Sequence, residues 1–238
     1  MFRSHVMICG GTGCTSSGSD KIAEAFQREI NAVGLENEVK VVRTGCFGLC
    51  ALGPIVVVYP EASFYSRVKE ENVKEIVDEH LLKGRPVTRL LYDETVNPDN
   101  TIKSLDETAF YKKQVRVALR NCGVINPENI DEYIAFDGYQ ALGKVLTEMK
   151  PEDVVKVVLD SGLRGRGGAG FPTGKKWQFA AASKAEVKYM CCNADEGDPG
   201  AFMDRSVLEG DPHSVLEAMA ITGYAIGADE GYIYVRAE

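Results

Sequence analysis

The sequence predicts an α/β protein in which two α/β regions are joined by a helical segment. Strand and helix patterns alternate through residues 1–88. Residues 89–150 combine a proline-containing linker with helical periodicity, and residues 151–238 return to mixed helix and strand patterns. A length of 238 residues and a hydrophobic content of 45% suit one large or two small globular domains.

Composition and charge exclude several classes of function. The net charge is −8 and no long basic run is present, so nucleic acid and anionic membranes are poor partners. No apolar run is long enough to cross a bilayer, and the N-terminus lacks a signal-peptide layout. Seven cysteines, four of them closely paired, indicate metal binding in a reducing compartment, so we expect a cytoplasmic protein without direct membrane insertion.

The first region has the element order β-α-β-β-β-α. Its strand patterns cover Ser4–Cys9, 38–44, 54–59 and 64–68. Ser19 suits the cap of a first helix that stops at Gly34, and residues 71–83 predict a second helix that ends at Gly84. This order resembles a thioredoxin-like fold in which both cysteine-containing loops follow strands at one end of the sheet.

The most informative motif is a set of four cysteines in two Gly-rich loops, namely Cys9, Cys14, Cys46 and Cys50. Two cysteines four or five residues apart on a turn can reach one metal centre, and a second such turn completes a four-thiolate site. Neighbouring glycines let backbone N–H groups approach inorganic sulfur. The pattern favours an iron–sulfur cluster over structural zinc, a thiol redox pair or buried structural cysteines, which remain the alternatives.

The rest of the chain predicts further elements. Helices are expected at 106–121, 127–136, 139–149, Pro151–Asp160, 177–183 and 212–227, and strands at 187–192 and 231–235. The strand at 187–192 is expected to be buried, with the adjacent Cys191 and Cys192 as core packing. We interpret Cys122 as a filler at the end of a helix.

The glycine-dense segment SGLRGRGGAGFPTGKKW is the second motif. Gly165, Gly167 and Gly170 match a dinucleotide fingerprint in spacing only, because a helix pattern precedes them where a strand is required. A P-loop is excluded because its first glycine would fall on Ala169. Glycines and cations before a helix still suit an anion-binding loop, and the alternative is a flexible surface loop.

The third motif is the acidic loop NADEGDPGAFMDR, which follows the strand at 187–192. It holds Asn193, Asp195, Glu196 and Asp198 at the carboxyl end of that strand, where open α/β sheets bind ligands. Carboxylates and an amide there can accept hydrogen bonds from ribose or ribityl hydroxyls and from a flavin ring N–H. The alternative is a solvated turn around Pro199.

Taken together, GLRGRGGAGFPTGKKW and NADEGDPGAFMDRS resemble the FMN-carrying, NADH-oxidising subunit family of respiratory complex I. KKQVRVALRNCGVINPENIDEYIA and GYQALGKVL are similar to its soluble relatives in NAD(P)-linked iron-only hydrogenases, which carry a thioredoxin-like [2Fe-2S] domain in front. The resemblance implies that residues 1–88 form that domain, that 89–150 are a linker and helical segment, and that 151–238 form the first half of a Rossmann-like FMN- and NAD-binding domain.

The resemblance also implies functional residues. The ligands of the [2Fe-2S] cluster fall on the four paired cysteines. The phosphate and isoalloxazine loop falls on Gly165, Arg166, Gly167 and Lys176, and the polar residues on the flavin side fall on Asn193, Asp195 and Glu196. Phe171, Phe179 and Lys176 match positions that contact the nicotinamide nucleotide, as does Asp198, which is Glu in the complex I branch.

The implied function is electron transfer between NAD(P)H, FMN and iron–sulfur clusters, in a hetero-oligomer with other iron–sulfur and hydrogenase or dehydrogenase subunits. Family members run on for several hundred residues, so we expect a [4Fe-4S] cluster only in a part that this chain lacks, and no catalysis by this chain alone. The alternatives are a non-catalytic [2Fe-2S] relay or docking module and a zinc-stabilised structural domain.

Overall fold

The structure is a computed structural model that describes residues 2–97 and 105–236. The chain divides into two compact units. Unit 1 comprises the described residues up to Asn129 together with Ser206–Asp211, and unit 2 comprises Ile130–Arg205 and the described residues from Pro212 onward.

Unit 1 contains a four-stranded sheet in the order β2-β1-β3-β4. The strands are β1 (Ser4–Cys9), β2 (Val39–Thr44), β3 (Val56–Tyr59) and β4 (Ser63–Tyr65). β1 pairs in parallel with β2 and antiparallel with β3, and β3 pairs antiparallel with β4. The thioredoxin-like order predicted for this region is confirmed.

Both faces of this sheet are buried. Successive residues of a strand point to opposite faces, so neighbouring residues of β1 belong to different core clusters. Val6 and Ile8 of β1 pack with the helices α2 (Ser19–Ala32) and α3 (Glu70–Glu75) on one face. Met7 and Cys9 point to the other face, where aromatic side chains cover them. The cysteine that ends β1 is therefore part of a packed core and not of an exposed loop.

The helices of unit 1 differ from prediction in three details. A short helix, α1 (Thr12–Ser16), precedes α2 and was not predicted. The cap of α2 is Gly18, at φ +90°, and the expected capping by Ser19 is wrong because Ser19 is the first helical residue and its buried hydroxyl makes no hydrogen bond among the described residues. α3 continues as a π-helical turn, Ile76–Leu81.

The helix predicted at 106–121 is wrong. Residues 105–121 form only two single 3₁₀ turns, Leu105–Glu107 and Tyr111–Lys113. Val115 and Val117 are 90% and 78% exposed, so a helix here would bury no apolar face. Tyr111 is instead held by tertiary contacts, since its hydroxyl donates to the carbonyl of Phe47. Of the predicted linker, residues 98–104 lie outside the described part of the chain.

Unit 2 contains helices and a pair of parallel strands. The helices are α4 (Ile130–Ala135), α5 (Gln140–Glu148), α6 (Pro151–Asp160), α7 (Thr173–Ala182), α8 (Met203–Gly210, whose first three residues belong to this unit) and α9 (Pro212–Ile226), and the strands are β5 (Tyr189–Ala194) and β6 (Glu230–Val235). α6 has the predicted bounds, with Pro151 in its first turn. α8 was not predicted.

The predicted burial of β5 is wrong. Tyr189 is 51% exposed and Cys191 is also exposed, so neither packs in a core. The described residues give β5 a single neighbouring strand, β6, which is itself exposed along its length. An apolar strand is buried only where other elements cover its faces.

Within the described residues, the search for a membrane-spanning segment finds no helix with the length and apolar character required.

A buried histidine makes the stability of unit 1 depend on pH. His80 is 4% exposed, and Tyr65 Oη, which accepts from the N–H of Val87, lies 2.9 Å from its Nδ1. Burial lowers the pKa of His80, although Glu61 opposes this effect. The imidazole of His80 therefore binds a proton more readily in the unfolded chain than in the folded chain. The stabilisation that comes from burying a neutral His80 is complete above pH ~6.5, and it decreases as the pH falls below that value.

We expect the free energy of unfolding of unit 1 to fall between pH 7.5 and pH 5.5 more steeply in the native protein than in His80→Gln, whose amide oxygen can still accept from Tyr65. Urea titrations followed by tyrosine circular dichroism in the near ultraviolet measure this difference. Equal pH slopes for the two proteins would contradict the assignment of a neutral buried His80.

Candidate functional site

The parallel pairing of β1 and β2 brings the two cysteine loops to one edge of the sheet. Cys9 lies opposite Thr44 in the register, and Cys46 follows β2 by two residues. Cys14 lies on α1, and Cys50 starts a 3₁₀ turn, Cys50–Leu52. The first two cysteines are 1% exposed, Cys46 is half-buried and Cys50 is exposed.

Glycines make room around these thiols. A Cβ on Gly11 would lie 2.8 Å from Cys46 Sγ, and a Cβ on Gly53 would lie 2.8 Å from Cys14 Sγ. Gly48 has φ +83°, and its N–H donates to Cys46 Sγ at 3.3 Å. Side chains at the first two positions would occupy the space next to the sulfur atoms, so glycine is required there for close approach of the backbone.

The thiols perturb one another electrostatically. Interaction with Cys14, together with burial, raises the pKa of Cys9 to about 11, and the same interaction lowers the pKa of Cys14. Interaction with Cys9, burial and the Cys9 charge raise the pKa of Cys46. Burial and the Cys46 charge raise that of Cys50. Four thiolates together are therefore unfavourable unless a cationic centre compensates their charge.

Backbone N–H groups favour the thiolate forms. Hydrogen bonds from the amides of Phe47, Gly48 and Ile55 lower the pKa values of Cys9, Cys46 and Cys14, respectively. Such N–H groups are the usual outer-shell partners of iron–sulfur ligands. Among the described residues, no three Cys, His, Asp or Glu side chains converge on one point that a single metal ion could occupy.

The remaining cysteines do not join this set. Cys122 is fully buried, and a Cβ on Gly45 would lie 2.8 Å from its Sγ. Burial raises its pKa to about 11. No helix ends at Cys122, so its predicted place is wrong, although its role as packing is confirmed by its burial. Cys192 is half-buried on β5 in unit 2.

The glycine loop of unit 2 is closed on itself between α6 and α7. The N–H of Gly165 donates to the carbonyl of Phe171 at 2.8 Å, and Arg164 Nε donates to the carbonyl of Gly170 at 2.5 Å. Gly168 and Gly170 have φ values of +99° and +61°, which only glycine adopts without strain. A Cβ on Gly167 would meet no atom within 4 Å, so the predicted phosphate-binding backbone faces open space.

Positive charge and aromatic rings surround this loop. Arg166 lies in the loop, and Lys175 and Lys176 lie in the first turn of α7, all exposed. Phe171 and Phe179 are 48% and 60% exposed, with Lys175 Nζ 5.4 Å from the centre of the Phe179 ring. These residues offer positive charge and exposed aromatic rings to an anionic, planar ligand.

The acidic loop follows β5 as predicted, but one member has a structural task. Glu196 accepts hydrogen bonds from the N–H groups of Met203, Asp204 and Arg205, the first turn of α8. Desolvation opposes its ionisation, yet these three bonds outweigh it and hold the pKa of Glu196 below its ordinary value. Glu196 is thus a helix cap, and its N-terminal position relative to an MDRSVLEG helix was the overlooked signal.

The other predicted residues of this loop are exposed. They are Asn193, Asp195 and Asp198. Asn193 Oδ1 accepts from the backbone N–H of Asp195 at 3.1 Å, and Asp195 is itself exposed. The hydrogen bonds of the glycine loop are internal to it, so the two loops are each preorganised separately within the described residues.

Comparison with known proteins gives two family matches. Residues 2–81 match the thioredoxin-like [2Fe-2S] ferredoxin model, and residues 158–238 match the Nuo51 FMN-binding domain model of the 51 kDa subunit of complex I. Each model matches about a third of the chain, so residues 2–81 are similar to the first family and residues 158–238 to the second. The four paired cysteines lie in the first match, and the glycine and acidic loops lie in the second.

Two relatives of the chain are hydrogenase subunits. The chain is 68% identical over 131 residues to NADP-reducing hydrogenase subunit HndC of Solidesulfovibrio fructosivorans, a match that covers 55% of this chain and 26% of the relative. It is 32% identical over 243 residues to NAD-reducing hydrogenase HoxS subunit alpha of Cupriavidus necator, which covers 99% of this chain and 37% of the relative. The chain thus spans well under half of either relative.

Among solved structures, a thioredoxin-like [2Fe-2S] ferredoxin from Aquifex aeolicus is 37% identical to this chain. The match covers 38% of this chain and 97% of that protein, with a TM-score of 0.36.

Proposed function

We propose that this chain is an electron-transfer flavin and iron–sulfur subunit of an NAD(P)-linked oxidoreductase, a hydrogenase or NADH dehydrogenase. One observation carries the proposal: four cysteine thiols meet at one edge of a thioredoxin-like sheet in the region that matches the [2Fe-2S] model, and an FMN-binding match follows in the same chain. The substrate is NADH or NADPH, and the partners are other iron–sulfur and hydrogenase or dehydrogenase subunits.

In this proposal, Cys9, Cys14, Cys46 and Cys50 hold a [2Fe-2S] cluster. The residues fit that group because glycines leave space beside two of the sulfur atoms and the N–H of Gly48 donates to Cys46 Sγ at 3.3 Å. The charge of the thiolates, which is unfavourable in isolation, is compensated by iron. The buried Cys9 and Cys14 fix the cluster in the core, and the exposed Cys50 marks the side from which electrons leave or enter.

The flavin side uses the two loops of unit 2. The backbone of Gly165 and Gly167 with Arg166 and Lys176 binds the phosphate of FMN, because glycine permits close approach and the cations attract the anion. The exposed rings of Phe171 and Phe179 stack with the nucleotide. Asn193, Asp195 and Asp198 accept hydrogen bonds from flavin or ribose, while Glu196 holds their loop in shape.

Bound FMN supplies the exchange between two-electron hydride chemistry and one-electron transfer, so no side chain of this protein need act as acid, base or nucleophile. The protein's part is to bind and orient. A cytoplasmic location fits this role, since the described cysteines are free thiols and thiolate ligation persists in a reducing compartment.

Anaerobic purification tests the proposal. We expect a red-brown protein with about two iron and two sulfide per chain, and with FMN that binds in a saturable manner. A colourless protein with one tightly bound zinc would overturn the iron–sulfur assignment.

A second candidate, a non-catalytic [2Fe-2S] relay or docking module, is favoured by the exposure of the predicted nucleotide residues, from Phe171 to Asp198. FMN binding distinguishes the two candidates. Cluster content without any FMN binding would support the relay.

A valine at Gly167 provides a clean test of the flavin loop. Because a Cβ there meets no protein atom within 4 Å, Gly167→Val should leave the thermal midpoint of unfolding unchanged. The branched side chain would nevertheless occupy space that a phosphate needs for contact with the backbone, so we expect FMN affinity to fall by at least about tenfold, or ~1.4 kcal/mol. Fluorescence titration measures it, and an unchanged affinity would remove Gly167 from the site.

A further inference from the structure

Segments outside the thioredoxin-like sheet enclose the loop that carries Cys46. They are Tyr111, residues 121–125 and residues 206–211, which we name the cluster clamp, and all lie in unit 1. Tyr111 is 4% exposed, Asn121 3%, Cys122 0% and Asp211 1%. Residues 206–210 lie in α8, whereas residues 121–125 form no helix or strand, so the burial of Asn121 and Cys122 shows that this segment is fixed by its contacts.

On the N-terminal side of Cys46, the clamp holds the end of β2. Thr44 Oγ1 donates to the carbonyl of Ile125 at 2.8 Å and accepts from the N–H of Gly123 at 3.0 Å. Gly45 follows directly, and a Cβ on it would lie 2.6 Å from the Cα of Gly210. The backbone just before Cys46 is therefore fixed by two buried hydrogen bonds and by glycine-to-glycine contact.

On the C-terminal side of Cys46, the clamp holds Phe47. The hydroxyl of Tyr111 donates to the carbonyl of Phe47. Gly123, at φ +83°, lies against the ring of Phe47, where a Cβ would approach to 2.5 Å. This contact bears on the cysteines because the next residue, Gly48, donates its N–H to Cys46 Sγ at 3.3 Å.

The parts of the clamp are also tied to one another. Asn121 Nδ2 donates to Asp211 Oδ2 at 2.8 Å, and the Cys122 thiol lies 3.8 Å from the carbonyl of Ser206. Arg116 lies 4.9 Å above the Tyr111 ring and donates to the carbonyl of Cys122 at 3.1 Å. Residues 206–211 belong to the sequence range of the FMN-binding match, yet they pack in unit 1.

We propose that the cluster clamp positions the Cys46 loop and thereby sets the reduction potential and the lifetime of the cluster, with Tyr111 and Thr44 as its positioning residues. The inference rests on the proposed [2Fe-2S] function. Hydrogen bonds from N–H groups to sulfur stabilise the more negative, reduced cluster. When Phe47 is free to move, the N–H of the adjacent Gly48 points at Cys46 Sγ for a smaller part of the time, so loss of the clamp bond lowers the potential.

The test uses Tyr111→Phe in the full chain, which removes only the hydroxyl and keeps the ring that excludes water. Tyr224→Phe is the matched control, since it also removes a hydroxyl bond to a backbone carbonyl, that of Met149 in unit 2 at 2.7 Å. We expect a more negative potential in a redox titration followed by electron paramagnetic resonance, and loss of iron to a chelator up to about tenfold faster. The control should match the native protein.

Thr44→Val gives an independent variant on the other side of Cys46, and Thr44→Ser, which keeps the hydroxyl, should restore native values. Native-like potential and iron release in both Tyr111→Phe and Thr44→Val would overturn the inference, as would equal changes in Tyr224→Phe. A native protein without iron and sulfide would instead refute the proposed function itself.

Discussion

Replacement of Cys46 by serine is expected to abolish the iron–sulfur chromophore and most of the bound iron. In the proposed site the Cys46 thiolate is an iron ligand, whereas a serine hydroxyl remains protonated at neutral pH. Cys46 also interacts with both Cys9 and Cys50 of the set. Iron and sulfide assays with visible absorption after anaerobic purification measure the loss.

The matched control is Cys191→Ser, because Cys191 is exposed on β5 in unit 2 and lies outside the four-cysteine set. It should keep the native iron content. Full iron content and an unchanged spectrum in Cys46→Ser would mean that another residue completes the site.

The second large effect is expected at Glu217, a carboxylate of α9 that is only 7% exposed. Its Oε2 accepts from Tyr133 Oη at 2.6 Å and from the N–H of Tyr139 at 2.9 Å, and its Oε1 accepts from the N–H of Leu142 at 3.0 Å. In Glu217→Gln, the new NH₂ group must face a donor, so we expect the free energy of unfolding of unit 2 to fall by about 2–3 kcal/mol.

Trp177 makes this measurable, because it is the single tryptophan of the chain and packs beside the core of unit 2. Urea unfolding followed by tryptophan fluorescence should show the lower midpoint for Glu217→Gln. Glu186→Gln, a change at an exposed position in the same unit, should stay within about 0.5 kcal/mol of the native protein. Equal midpoints for the two variants would contradict the role of Glu217.

Elements with strong local patterns could be predicted from the sequence. β1 and α6 have the predicted bounds, because an alternating strand and a proline-started amphipathic helix are encoded by adjacent residues. The placement of both cysteine loops at one end of the sheet could also be predicted, because parallel strands align their carboxyl ends.

Features decided by distant contacts could not be predicted. The helical periodicity of 106–121 was overridden by the bond of Tyr111 to Phe47, 64 residues away in sequence. Likewise, the capping of α8 by Glu196 could not be predicted, because α8 itself was not predicted, and the flavin contact of Glu196 stays a prediction. The glycine and acidic loops were found by motif, but the ligand contacts of their side chains stay a prediction.

The position of the cluster clamp in the sequence has a consequence for biosynthesis. All four paired cysteines are translated by residue 50, whereas the clamp is complete only at Asp211, about 160 residues later. At translation rates of roughly 5–20 residues per second, the nascent cysteine loops stay uncovered for about 8–30 s. Iron and sulfide delivered in that interval meet a Cys46 loop that the clamp has not yet fixed, whereas a delivery system that arrives after release from the ribosome meets a loop already held in place.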